Sequence, residues 1–98
     1  VKELPGKPDI VLYKYRTVIF INGCFWHHHP HCRLAYIPKS RTAYWMKKFN
    51  DNMERDIEKQ KQLESMDYKV ITVWECELKD CFDYRMQKLV EEILDGSY

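Results

Sequence analysis

The sequence has no long apolar run and almost no surplus of charge. Its longest uncharged apolar stretch, Thr17–Trp26, is far shorter than the roughly 20 residues a membrane-spanning helix needs. Sixteen Lys+Arg against fifteen Asp+Glu leave a net charge of +1. That is no basic footprint, so charge alone gives no reason to expect nucleic acid as a partner. No charged-then-apolar leader opens the chain, and the expectation is a protein that stays in a reducing compartment, where disulfides are rare. Internal repeats, low-complexity tracts and linkers are also missing, so the 98 residues read as one domain. The first residue is Val rather than Met, as in a fragment or processed chain.

What is present is a thin but real core. Hydrophobic residues make up 45% and charged residues 32% of the chain, the balance of a folded domain rather than a disordered one. A domain this small buries only about 60–65% of its extended surface, so a staple is expected. The turn-rich opening Leu4-Pro5-Gly6-Lys7-Pro8 leads to Asp9. Ile10–Tyr13 and Thr17–Ile21 flank Lys14-Tyr15-Arg16 and read as a β-hairpin. Val18-Ile19-Phe20-Ile21 does not alternate, which predicts burial on both faces. From Arg41 the period becomes helical: Met46, Phe49, Met53 and Ile57 mark one long amphipathic helix to about Met66, with Ser40 or Thr42 as cap. Lys69–Trp74 reads as a third strand. Met86, Leu89, Val90, Ile93 and Leu94 mark a second helix, closed by Gly96. The predicted class is mixed α/β, with helices layered on a sheet.

All four histidines lie between positions 27 and 31, flanked by Cys24 and Cys32. Cys24, His29 and Cys32 form a Cys-x4-His-x2-Cys pattern that supplies three of the four ligands of a tetrahedral zinc, with Cys76 after the third strand as the fourth. His31, directly beside Cys32, has poorer reach to the same ion. The competing reading is a disulfide or plain buried cysteines. A structural zinc would turn ligand binding into folding free energy, which a small core needs. One zinc does not use four histidines, so a spare imidazole is available for general-base chemistry. Asp9, where the hairpin begins, is a candidate magnesium ligand, though turn aspartates are common without a metal. Phe25, Trp26 and Trp45 are core anchors or, alternatively, wedges that enter a DNA duplex.

Four blocks in order, Leu4-Pro5-Gly6-Lys7-Pro8-Asp9, Asn22-Gly23-Cys24-Phe25-Trp26-His27-His28-His29, Trp45 with Asn52 and Arg55-Asp56, and Val73-Trp74-Glu75-Cys76, resemble the very short patch repair (Vsr) DNA mismatch endonucleases. The likeness runs over Leu4–Leu78. It implies a restriction-endonuclease-like mixed sheet flanked by helices, with magnesium for catalysis and zinc for structure. It implies nicking of double-stranded DNA 5′ to the thymine of a T·G mismatch. By the same resemblance, Asp9 and the backbone carbonyl of Ile21 hold magnesium, and His27 is the catalytic histidine with Asp56 beside it. Cys24, His29, Cys32 and Cys76 match the zinc shell, and Phe25, Trp26 and Trp45 match aromatics that enter the DNA. Lys47, Lys48 and Arg55, with Arg33, Lys39 and Arg41, could neutralise phosphates. A monomer in the bacterial cytoplasm, on the nucleoid and working with mismatch-repair proteins, is expected.

The sequence departs from the family in three places. The family's N-terminal segment is absent, and Asn22 stands for a histidine. Pro30 adds a residue to the Cys/His loop. Phe20-Ile21-Asn22 lacks the acid-x-Lys pair of restriction-like nucleases, an absence the Vsr group shares.

Overall fold

The computed structural model describes residues 4–95. Strand β1 (Ile10–Leu12) is followed by a single 3₁₀ turn at Tyr13–Tyr15 and then by β2 (Thr17–Asn22). Helix α1 (Thr42–Ser65) precedes β3 (Lys69–Trp74), which runs into the short α2 (Glu75–Asp80) and then α3 (Phe82–Asp95). The sheet order is β1-β2-β3. β1 pairs antiparallel with β2, setting Ile10 opposite Ile19, and β2 pairs parallel with β3, setting Val18 beside Val70 and Asn22 beside Trp74.

Arg16 makes the hairpin turn possible. It adopts a left-handed conformation with φ 49°, and its guanidinium stacks 4.1 Å from the centre of the Tyr68 ring while donating to the carbonyl of Met66. The turn is thereby fastened to the segment that leads into β3.

Strand alternation divides the core into two layers. Val18 packs with Leu63 and Tyr68, against Val11, Phe20 and Val70, beneath α1. On the other face Ile19, Ile71 and Val73 pack with Leu12 of β1 and with Leu78, Leu89 and Ile93 from α2 and α3. The sheet is therefore covered on both sides, as expected from its parallel pair. The double burial predicted for Val18–Ile21 holds only for its first half. Ile21, near the end of the strand, is 46% exposed.

The face predicted for α1 is corrected by one position. Met46 and Ile57 are exposed. The face turned to the sheet is Trp45, Phe49, Asn52, Asp56, Lys59 and Leu63, spaced alternately four and three residues apart. Its ends are apolar, with Phe49 1% and Leu63 0% exposed, while its middle is polar. Neither Ser40 nor Thr42 caps the helix. Arg41 occupies the N-cap in a left-handed conformation, and the Thr42 hydroxyl donates back to the carbonyls of Pro38 and Lys39. On α3, Leu89 and Ile93 face the core, whereas Val90 and Leu94 are exposed. The closing glycine expected at position 96 lies outside the described residues.

Helix α2 interrupts what reads in sequence as a strand end. The Glu77 carboxylate accepts the N–H of Trp74 at 2.8 Å and fixes the first turn. Arg85, nearly buried, ties this turn to α3: it donates to Glu92 at 2.8 Å and to the carbonyl of Thr72 at 3.2 Å. Its Nε also lies 3.2 Å from Glu77 as an ion pair without hydrogen-bond alignment.

Candidate active site and metal centre

The polar middle of α1 faces a cleft of about 300 Å³ at the mouth of the sheet, lined by Asp9, Asn22, His27, Arg55, Asp56 and Lys59 among others. Asp9 is seated from both sides of its peptide. Its N–H donates to the carbonyl of Ile19 at 3.1 Å, and one carboxylate oxygen accepts the N–H of Ile21 at 2.7 Å. The other oxygen has no partner among the described residues. The residue whose carbonyl is the expected second magnesium ligand is thereby held beside the first.

His27 enters from the loop after β2. Its N–H donates to the carbonyl of Gly23 at 3.2 Å, and the Trp26 carbonyl before it accepts from the Asn52 amide at 2.8 Å. Nδ1 of His27 lies 2.6 Å from Oδ2 of Asp56, the two side chains 29% and 40% exposed. A carboxylate at that distance favours the Nδ1–H tautomer and leaves Nε2 with its lone pair, the form a general base requires. Asp56 is reached because α1 repeats every 3.6 residues: Asn52 holds the loop backbone and Asp56, one turn on, holds the imidazole.

A second cluster lies where the parallel strands end. The ligand atoms of Cys24, His29, Cys32 and Cys76 all fall within 4.8 Å of one another. His29 Nδ1 is 3.7 Å from Cys24 Sγ and 3.5 Å from Cys76 Sγ. With Zn–S near 2.3 Å and Zn–N near 2.0–2.1 Å, tetrahedral geometry calls for N···S edges of about 3.6 Å, so the donor set fits zinc. The His29 ring stacks on Trp74 at 4.0 Å between centres and 9° between planes, which fixes its direction. His31 is not part of the cluster. All four cysteines are free, so the disulfide reading is set aside.

The metal-free thiols repel sharing one site as anions. Burial, then Cys24 and Cys32, push the Cys76 thiol up to about 12. Burial likewise raises Cys24, although the N–H of Cys76 partly offsets this by donating to its sulfur at 3.3 Å. Cys32 is lowered, chiefly by the backbone N–H of Leu34. A divalent cation would relieve this mutual repulsion, because only the thiolates ligate.

The aromatics form one surface cluster. Phe25 contacts Trp26, Tyr36, Trp45 and Phe49 with ring centres 5.0–5.4 Å apart. Phe49 is the buried floor, while Trp26 is 53% exposed.

A sequence profile described as DNA mismatch endonuclease Vsr matches residues 1–34. The chain is similar to the type II nicking enzyme V.NmeAIP of Neisseria meningitidis, 53% identical over 98 residues, or 97% of this chain and 69% of that protein. It is 48% identical over 96 residues to the type II nicking enzyme V.XorIIP of Xanthomonas oryzae, covering 98% of this chain and 68% of that protein. DNA mismatch endonuclease Vsr of Escherichia coli is 45% identical over 92 residues, 94% of this chain, which spans 55% of that protein's length. The chain belongs to the Vsr family.

Membership makes it one of a family of DNA endonucleases, hydrolases of the phosphodiester backbone. The structure brings together Asp9, the Ile21 peptide, His27, Asp56 and Arg55 in one cleft. Lys47 and Lys48 do not line it. Lys47 is turned outward and paired with Asp51 at 3.0 Å, and Arg33 is occupied by Asp80 at 2.9 Å. Sequence reasoning missed Lys7 and Lys59, which do line the cleft, and the bracing role of Asn52. Their signal was available: on a heptad-like count, polar residues at Asn52, Asp56 and Lys59 continue the stripe that Phe49 and Leu63 define.

Among the described residues, no helix is long and apolar enough to cross a membrane.

Proposed function

We propose that this chain is a zinc-stapled, magnesium-dependent nuclease domain that nicks one strand of duplex DNA 5′ to the thymine of a T·G mismatch. The observation that carries the reading is the His27–Asp56 pair at 2.6 Å in the same cleft as Asp9, on a strand–loop whose next turn exposes Trp26. The E. coli relative is named for mismatch cleavage, and that activity is carried over here as a proposal. The 98 residues act as a single domain, monomeric, in the bacterial cytoplasm at the nucleoid.

Asp9 and the Ile21 carbonyl would hold magnesium, which when bound supplies positive charge to the phosphate oxygens. The remaining roles belong to the chain. His27 accepts the proton of the attacking water at Nε2. Asp56 keeps Nδ1 protonated and compensates the imidazolium that forms. Asn52 holds the Trp26 carbonyl, so the loop that carries His27 also sets the angle of the indole. Trp26, Phe25 and Trp45 enter the stack beside the wobble pair, where unstacking costs least. Cys24, His29, Cys32 and Cys76 would hold zinc as a clamp without an open position, a structural rather than catalytic site.

A nicking assay on T·G and fully paired duplexes, with and without magnesium, tests the reading. Magnesium-dependent cutting of one strand of the T·G duplex alone supports it. A second reading, a restriction-associated nuclease indifferent to mismatches, predicts equal cutting of both duplexes; the names of V.NmeAIP and V.XorIIP say type II nicking enzyme and name no mismatch. Binding without cutting under every condition leaves a zinc-stapled DNA-binding module.

A further inference from the structure

The geometry points to Lys59 as a residue that holds a DNA backbone phosphate in the cleft, supplying from α1 a cation that β2 lacks. The inference rests on the nuclease reading and adds a substrate contact to it. Strand β2 reaches the cleft with Phe20, Ile21 and Asn22, none of them charged.

Three observations converge on Lys59. It lies on the inner stripe of α1, three residues beyond Asp56, so the two side chains share a face one turn apart. It is half-buried there and lines the cleft with Lys7, Arg55, Asp9 and Asp56. It makes no hydrogen bond or ion pair with any described residue. Lys47, Lys79 and Lys88 are each paired with a nearby carboxylate, whereas Lys48 and Lys61, which also lack an ion pair among the described residues, do not line the cleft. A lysine whose stem is covered while its ammonium makes no such pair leaves that charge free for a ligand.

A fourth observation is the room made for its stem. Gly6 has φ 75°, and a Cβ placed on it would meet Lys59 Cβ at 3.0 Å and Cγ at 3.2 Å. The opening loop thus passes directly over the first carbons of Lys59, and only glycine fits. That contact holds the stem between the loop and α1. Lys7, next along the same loop with φ 51°, lines the cleft from the other side. Three cations, Lys7, Arg55 and Lys59, face two carboxylates, Asp9 and Asp56, in a protein whose net charge is only +1. That local surplus suits an anionic backbone, and a cation fixed before the substrate arrives stabilises charge that grows on phosphate oxygens during cleavage.

The test compares Lys59→Met, Lys59→Arg and Lys61→Met, the last changing the same charge on the outer face of the same helix. Single-turnover nicking of a T·G duplex and the salt dependence of binding to that duplex are measured for each, with melting temperatures as a control. Lys59→Met is expected to slow nicking on the order of 100-fold and to make the slope of log affinity against log salt shallower by about one. Lys59→Arg keeps both near wild type, and Lys61→Met leaves both unchanged. If Lys59→Met melts early, Lys59→Gln takes its place. Wild-type rate and slope in Lys59→Met would overturn the inference, as would equal losses in Lys59→Met and Lys61→Met. If the wild-type protein does not nick T·G DNA at all, the nuclease reading fails, and the difference in salt slope between the two methionine variants still decides whether Lys59 holds phosphate.

Discussion

Replacing Asp56 by Asn isolates the electrostatic part of the proposed mechanism. The change keeps the size of the side chain and its ability to hydrogen-bond Nδ1 of His27, now 2.6 Å away, but removes the charge that compensates an imidazolium. Two unit charges about 4 Å apart are worth about 1 kcal/mol in bulk water and about 4 kcal/mol at the effective dielectric of a protein surface. With side chains 29% and 40% exposed, the pair falls between these limits, at about 2 kcal/mol. That predicts a fall in the single-turnover nicking rate of about 30-fold, more if the amide also lets the wrong tautomer in. DNA affinity and melting temperature should stay near wild type, because the pair is partly solvated and the substitution keeps the side chain's size. The assay is single-turnover cleavage of a labelled T·G duplex at saturating protein. A rate within threefold of wild type would refute the assignment of His27 as a base supported by Asp56.

Other outcomes follow from the same geometry. Cys24→Ser and Cys76→Ser should each lose the stoichiometric zinc and much of the thermal stability, since a structural zinc contributes about 10 kcal/mol of binding free energy to folding; Cys81→Ser, outside the cluster, should retain both, as metal analysis and melting will tell. With zinc removed and thiols reduced, stability should decline as pH rises from about 9 toward about 12. The Cys76 thiol is raised from 9.0 to about 12 in the fold, so its contribution is complete below the unfolded value and vanishes as pH passes the folded one. In a Cys76→Ser variant that slope should be weaker. Phe49→Ala should cost about 3–5 kcal/mol by urea denaturation and Ile57→Glu no more than about 0.5 kcal/mol; the reverse order would return α1 to the face its Met and Ile residues suggest. Arg85→Met should destabilise by about 2 kcal/mol, because the partly buried Glu77 and the carbonyl of Thr72 lose their cationic partner, while the exposed Glu92 is rehydrated.

The parts of the molecule whose physics is local were legible in the sequence. Three strands follow from β-branched runs, and the helix from Thr42 to Ser65 follows from its period. The metal cluster follows from close-set ligands in the loop. The face of α1 was misread for a definite reason: hydrophobic counting favours Met46, Met53 and Ile57, but here the inner stripe carries Asn52, Asp56 and Lys59 to the cleft. Apolar periodicity cannot register a helix face that is polar by function. Lys59 was missed because a lysine reads as solvated until the opposing loop, more than 50 residues away, is in place, and Lys7 because it sits on that loop and meets the cleft only in the fold. Helix α2 was missed because its start depends on Glu77 reaching back to the N–H of Trp74.

The Cys/His cluster joins the loop after β2 to a residue 44 positions further on than Cys32. Three donors are thus made early and the fourth only once the long helix and its return strand exist. A chain ending before Cys76 would offer an ion two thiolates, one imidazole and a vacant corner for water, which is the coordination of a hydrolytic zinc rather than a structural one. Under the proposed zinc site, Cys76 would therefore be the donor that closes the shell and leaves water activation to the neighbouring cleft.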